Sequence, residues 1–384
     1  MLSSIHFLKI VVEIFSLNDY NASLLSKIFI KEGWSIKMNL YQELQLNQAM
    51  SKQVIRNAVS LKEKAHHIGI YFFKVILTMV FCVVFVTAYA KLFGDENSIV
   101  GVVVLLCVMG FRFVNTGLRT VHGIGAMCLI FLILAFGPRL ANCGGLGFQL
   151  LTNVVCIFLL MILGCHNVIF FNQSTLVLGY LLLFGYDVVG EAYKMRLWAI
   201  FVGAILTIVV YYRNHRKKNY KRNIIDLLKE FRITSTRGKW QIAITIGCAL
   251  MIFMASLLGF ERPMWAGIAT MSVIQPFHED IKHRVSGRIW GNSIGSIIFI
   301  ILYHVIPEKL YFTFGIIGGI GVGFSASYGW QAVFNSLGAM MIASEFLGMQ
   351  GAIYYRIVNN ICGSLFGYLF FTFISHVIHK KYYT

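Results

Sequence analysis

The chain has 384 residues, 58% of them hydrophobic and 13% charged, with a mean hydropathy of +0.72. This composition excludes an ordinary soluble domain and points to an all-α, polytopic membrane protein whose first partner is the lipid bilayer. The formal charge of +17 is not a nucleic-acid footprint, because the Lys and Arg residues flank apolar runs and fill one linker.

Residues 1–69 carry eight Lys or Arg against five Asp or Glu and read as a cytoplasmic N-terminal segment with one or two amphipathic helices. Lys9 and Glu13 interrupt the first apolar run, and no small-residue cleavage site follows it, which argues against a cleaved signal peptide. Both Met1 and Met38 fit as starts. Apolar runs then follow at 70–93, 98–111, 120–136, 146–164, 168–186 and 196–212. A basic cytoplasmic linker, 213–239, holds ten Lys or Arg and two acids, too many charges to enter a bilayer. A second set of runs lies at 240–260, 264–277, 286–306, 310–327, 331–348 and 354–378.

The expected architecture is about twelve transmembrane helices, as a parallel repeat of two six-helix units spanning 70–212 and 240–384. With both termini cytoplasmic, this count puts the linker and the turns carrying Arg112, Arg119, Lys282, Arg284 and Arg288 inside. It puts Asp95, Asp187, Glu261 and Glu345 outside, as the positive-inside rule prefers. Four features recur in the same order in both halves. The short run 98–111 matches 264–277, Arg119 matches Arg288, Asn172 matches Asn335, and Arg196 with Gly203 matches Arg356 with Gly363. A pair of short, interrupted helices at corresponding positions is the best sequence pointer to a transporter's binding site, so the cavity is expected between the two halves, where the two short helices come together.

The densest stretch is Arg262-Pro-Met-Trp-Ala, running through Val273-Ile-Gln-Pro276 to Arg284, Arg288 and the Gly291 to Gly295 run. It is similar to the signature of the fusaric acid resistance family, which includes aromatic acid exporters. The resemblance covers about 239–307 and implies paired six-helix units exporting aromatic or other organic carboxylic acids. Plant malate channels are thought to share the architecture. Well-known exporters of the family carry a large cytoplasmic domain where this chain has a linker of 27 residues.

An anionic substrate calls for a cation facing a protected cavity, and the planar fork of Arg suits a carboxylate. Arg119 and Arg288 are the first candidates; their alternative role is anchoring at the head groups. Arg196 and Arg356 are placed near the outer ends of their helices, where they form an exit-side anion site or pair with Asp187, Glu191 or Glu345. Gln275 and Pro276 either line the cavity or simply stop a helix. Asn172 and Asn335 hydrogen-bond between helices or touch substrate. Trp265 stacks on an aromatic substrate or belongs to the interfacial belt. His278, Glu279 and Asp280 are candidates for proton coupling, or else a solvated turn.

His283 stands one residue beyond the spacing of a zinc helix, so no metal is expected. A G-x-x-x-x-G-K-[ST] phosphate loop is missing, so ATP hydrolysis by this chain is not expected, and no cofactor is expected. The expected function is a secondary transporter of the cytoplasmic membrane that exports small organic acids. An anion channel of the same architecture and a membrane-embedded enzyme acting on lipid or cell-wall precursors are the alternatives. Further partners are a second copy of the chain or an accessory envelope protein.

Overall fold

The computed structural model describes residues 39–170, 172–276 and 279–383, with backbone alone for 279–280 and 378–383. Residues 1–38 and His278 therefore lie outside the described residues, as do the side chains of Glu279 and Asp280.

Helices account for nearly all of what is described. Two short ones open the chain, α1 (Leu40–Leu44) and α2 (Gln48–Asn57), each begun by an Asn whose side chain accepts a backbone N–H. Such capping satisfies donors that have no partner within the helix. Six longer elements follow: α3 (Leu61–Phe93), α4 (Ser98–Phe113), α5 (Thr120–Asn142), α6 (Leu146–Gly164), α7 (Gln173–Gly185) and α8 (Gly190–His215). The linker folds into α9 (Ile224–Lys229). Beyond it come α10 (Thr236–Leu257), α11 (Met264–Val273), α12 (Glu279–Val305), α13 (Thr313–Phe324) and α14 (Tyr328–Tyr383). Gly348, at φ 66 and ψ 170, breaks α14 into two arms, 328–347 and 349–383. Glycine adopts this left-handed conformation without the clash a side chain brings.

Eight of these helices are long and apolar enough to cross a membrane, among the described residues. The protein is thus an all-helical, multi-span membrane protein. The outer face of α3, with Phe72, Phe73, Leu77 and Val80 exposed, is apolar in the way lipid requires. Inside, small residues let backbones approach. Gly291 and Gly295 of α12 sit against the backbone of the first arm of α14 at Gly329 and Val333. Gly363 of the second arm sits on the Ala266 carbonyl of α11.

Three packing relations join the two halves: α10 on α6, α11 on α7 and α13 on α3. The first helix of each half thereby packs on the fourth helix of the other. One expectation fails at this level. The short helices α4 and α11 do not pack on one another; each packs on α7, which stands between them.

Candidate substrate site

The short helix α11 has ten residues, about 15 Å at 1.5 Å per residue, half the thickness of a bilayer core. It is shorter than its apolar run because Pro276 disfavours helical geometry at Gln275, and Ile274 is already extended at ψ 110. Eight of the ten residues are buried, so the helix is enclosed by α7, α10 and α14 rather than lining a broad opening. Gln275 folds back, its Nε2 donating to the carbonyls of Ser272 and Ile274 at 3.1 and 3.2 Å. Its Oε1 is buried without a hydrogen-bond partner among the described residues. Pro276 is buried beside it.

Next to the end of α11 lies a closed ring of four side chains on two helices. Arg288 Nε donates to Asn360 Oδ1 at 2.9 Å, and Asn360 Nδ2 donates to the Arg356 carbonyl at 2.6 Å. Arg356 Nε donates to Asn292 Oδ1 at 3.1 Å, and Asn292 Nδ2 donates to the Arg288 carbonyl at 2.8 Å. The two spacings are the same, Arg-x-x-x-Asn at 288–292 and at 356–360, which puts Arg and Asn one turn apart on one helix face. The exchange of partners requires α12 and the second arm of α14 to run antiparallel.

All four side chains are buried, with Arg288 8% and Arg356 6% exposed. No carboxylate pairs with either guanidinium among the described residues. Arg288 Nη1 also donates to Ser272 Oγ at 2.8 Å and to the Tyr328 hydroxyl at 2.9 Å. The Arg356 guanidinium lies 5.1 Å over the Trp265 ring. Its terminal nitrogens make no hydrogen bond among the described residues, yet they are not sealed off. One turn before Arg288, Arg284 lies 4.7 Å over the Tyr328 ring and donates to the Ser272 carbonyl at 3.3 Å.

Two buried cations held only by neutral acceptors are electrostatically incomplete, because desolvating each ion costs several kcal/mol and neutral dipoles restore only part of it. A bound carboxylate offsets one of the two charges, and the free nitrogens of Arg356 offer it donors.

Residues 248–370 match the family described as fusaric acid resistance protein-like. This family match spans α11, α12, α13 and both Arg-x-x-x-Asn elements. No curated protein and no solved structure matches the chain.

The structure corrects the expected depth of two arginines. The sequence places Arg288 at a cytoplasmic turn and Arg356 near the outer end of its helix, whereas the two stand at one level. The reason is that α12 begins at Glu279, seven residues before the apolar run, so Arg288 lies well within the helix. Arg119 does not join them. It is exposed at the N-terminus of α5, its N–H donating to the Arg222 carbonyl at 2.9 Å.

Arg196 is buried, and its guanidinium is spent on Asn97 Oδ1 at 3.0 Å and the carbonyls of Tyr186 and Glu96 at 2.7 and 3.3 Å. Asp187 pairs instead with Arg139 at 2.6 Å, and Glu191 with Lys194 at 2.6 Å. Asn172 stands just before α7 with Nδ2 on the Gly164 carbonyl at 2.9 Å, while Asn335 is exposed seven residues into α14. Sequence reading missed Asn292, Asn360, Ser272 and Tyr328. The repeated Arg-x-x-x-Asn spacing was the available signal for the two asparagines. The matching positions in the first half, Gly123 and Ile200, cannot form such a ring.

Proposed function

We propose that the protein is a secondary exporter of small organic acids, aromatic carboxylic acids first among them, in the cytoplasmic membrane. One observation carries this reading: Arg288 and Arg356 are buried together and face neutral acceptors only, an excess of positive charge that a carboxylate reduces. The family match at 248–370 and the aromatic rings of Trp265 and Tyr328 beside the cations support it. Burial of α11 on nearly every side favours an occluded carrier site over an open conduit.

The same reading takes the chain as twelve crossings in two parallel six-helix units, 70–212 and 240–384, with both termini and the 213–239 linker cytoplasmic. The reciprocal packing of α3 on α13 and α10 on α6 supports a two-fold relation between the units. The concentration of basic residues in the linker supports the orientation.

The test is efflux of radiolabelled benzoate from cells expressing the protein, compared with Arg288→Ala at equal membrane abundance. The reading expects saturable efflux driven by a pH gradient and lost in the variant. Undiminished efflux in the variant sinks the site, and a conductance that follows voltage without saturation replaces the carrier by a channel.

A further inference from the structure

A cavity of about 620 Å³ lies on the linker side of the first six long helices. Its walls come from three stretches far apart in sequence: the turn after α4 at 115–117, the loop after α6 at 166–168, and the linker with the start of α10. The linker is fixed there by backbone pairing of Leu118 with Arg222 and by the burial of Leu227. The cavity is therefore built by the fold and is not a gap beside a loose strand.

Its charge is unbalanced. Arg222, Arg232 and Arg237 face it with Glu230 as the one carboxylate, leaving two positive charges in excess. His166 adds none near neutral pH. Burial, with Arg237 and then Arg222 adding to it against Glu230, pushes its imidazole down to about 4. Glu230 is occupied by Arg222 Nε at 2.6 Å and by His166 Nε2 at 3.4 Å. Arg237 is occupied as well, donating to the Glu230 carbonyl at 2.8 Å and meeting His166 Nδ1 at 3.1 Å.

The unspent donors are the whole fork of Arg232, which has no partner among the described residues, and the terminal nitrogens of Arg222, which lie over Gly117. The first N–H groups of α10, at Thr236 and Arg237, add the positive end of a 22-residue helix. Val168 is the one aliphatic side chain in the wall.

We propose that this cavity binds a phosphoryl dianion, either free phosphate or a phosphate monoester headgroup, held by Arg222, Arg232 and the start of α10. A dianion cancels the excess of two charges, and its oxygens meet donors arriving from separate directions. Among the described residues no Phe, Tyr or Trp side chain lines this cavity, whereas Trp265 and Tyr328 flank the Arg288–Arg356 ring, so an aromatic monocarboxylate suits that ring and a dianion suits this site. The inference holds whether or not the protein exports acids.

Calorimetric titration of inorganic phosphate into the full chain in phosphatidylcholine nanodiscs tests the free-ligand arm. Thermal shift in nanodiscs with and without phosphatidic acid tests the headgroup arm. At least one probe is expected to bind saturably in the wild type. That binding is expected to weaken roughly tenfold in Arg232→Ala, an exposed position that the fold does not need, and to tighten in Glu230→Gln. Binding of phosphate alone assigns a soluble ligand, and a shift with phosphatidic acid alone assigns a lipid. The proposal is overturned if neither probe binds, or if whichever probe binds does so equally well in Arg232→Ala.

Discussion

Gly185, the last residue of α7, lies directly against Met264, the first residue of α11: a Cβ at Gly185 would fall on the Met264 thioether. The neighbouring loop closes the same junction. Arg262, in the left-handed region at φ 56, donates to the Gly185 carbonyl at 3.3 Å and lies 5.1 Å over the Tyr186 ring. This junction sets the short helix of the second half against the first half. Gly185→Ala should therefore cost about 1–3 kcal/mol through overpacking. A lowered Tm of the purified protein in detergent checks it, and an unchanged Tm would show the junction to be loose.

The Arg–Asn ring makes a sharper prediction through Asn360. Asn360→Asp puts a fixed carboxylate 2.9 Å from Arg288 Nε, supplying from within the anion that the substrate is proposed to bring. Efflux should fall at least about tenfold, equivalent to about 1.4 kcal/mol, because the new carboxylate occupies Arg288, while the bond that Asn360 Nδ2 donates to the Arg356 carbonyl is lost. Retained efflux in that variant would separate transport from the ring.

His166 gives the pH dependence. Its imidazole is held neutral down to about 4, against an ordinary value of about 6.5. Between those values the unfolded chain binds the proton and the folded chain does not. Stability from this group is therefore complete above about pH 6.5 and is lost as pH falls towards 4. Melting curves across that window should show a decline that is shallower in His166→Gln. Parallel declines in the two proteins would place the acid sensitivity elsewhere.

The N-terminal helices are tied down by polar contacts rather than by an apolar face. Lys74 Nζ donates to Ser51 Oγ at 2.5 Å and to the Leu46 carbonyl at 3.0 Å. Arg112 donates to Gln45 at 3.1 Å, and His67 meets Glu43 at 2.7 Å. Lys74→Met should release α1 and α2 from α3. Limited proteolysis should then cut within 39–59 several times faster, with the apolar helices left intact. Equal cleavage rates would show that the other two contacts suffice.

Much of the helix framework was legible because punctuation is chemical. Gly145 and Gly164 bracket α6 at the bounds its apolar run gives, and Pro276 shortens α11. Tertiary placement was less legible. The segment Glu279 to Arg284 reads as a charged turn, yet its two acids followed three and four residues later by Lys282 and Arg284 also suit the first turns of a helix, and that ambiguity misplaced Arg288. Asn335 sits within an apolar run but on its outward face, which composition alone does not reveal. Two identical Arg-x-x-x-Asn spacings were visible in the chain, but the pairing between them exists only once α12 and α14 lie side by side.

The reciprocal hydrogen bonds also have a mechanical meaning. Away from water, nothing competes for the two bonds that tie α12 to the second arm of α14, each oriented by an Asn held to its own helix, so the two should travel together as one stiff strut. Any alternation between inward- and outward-facing shapes would then bend elsewhere, and the left-handed break at Gly348, at the near end of that strut, is the natural pivot.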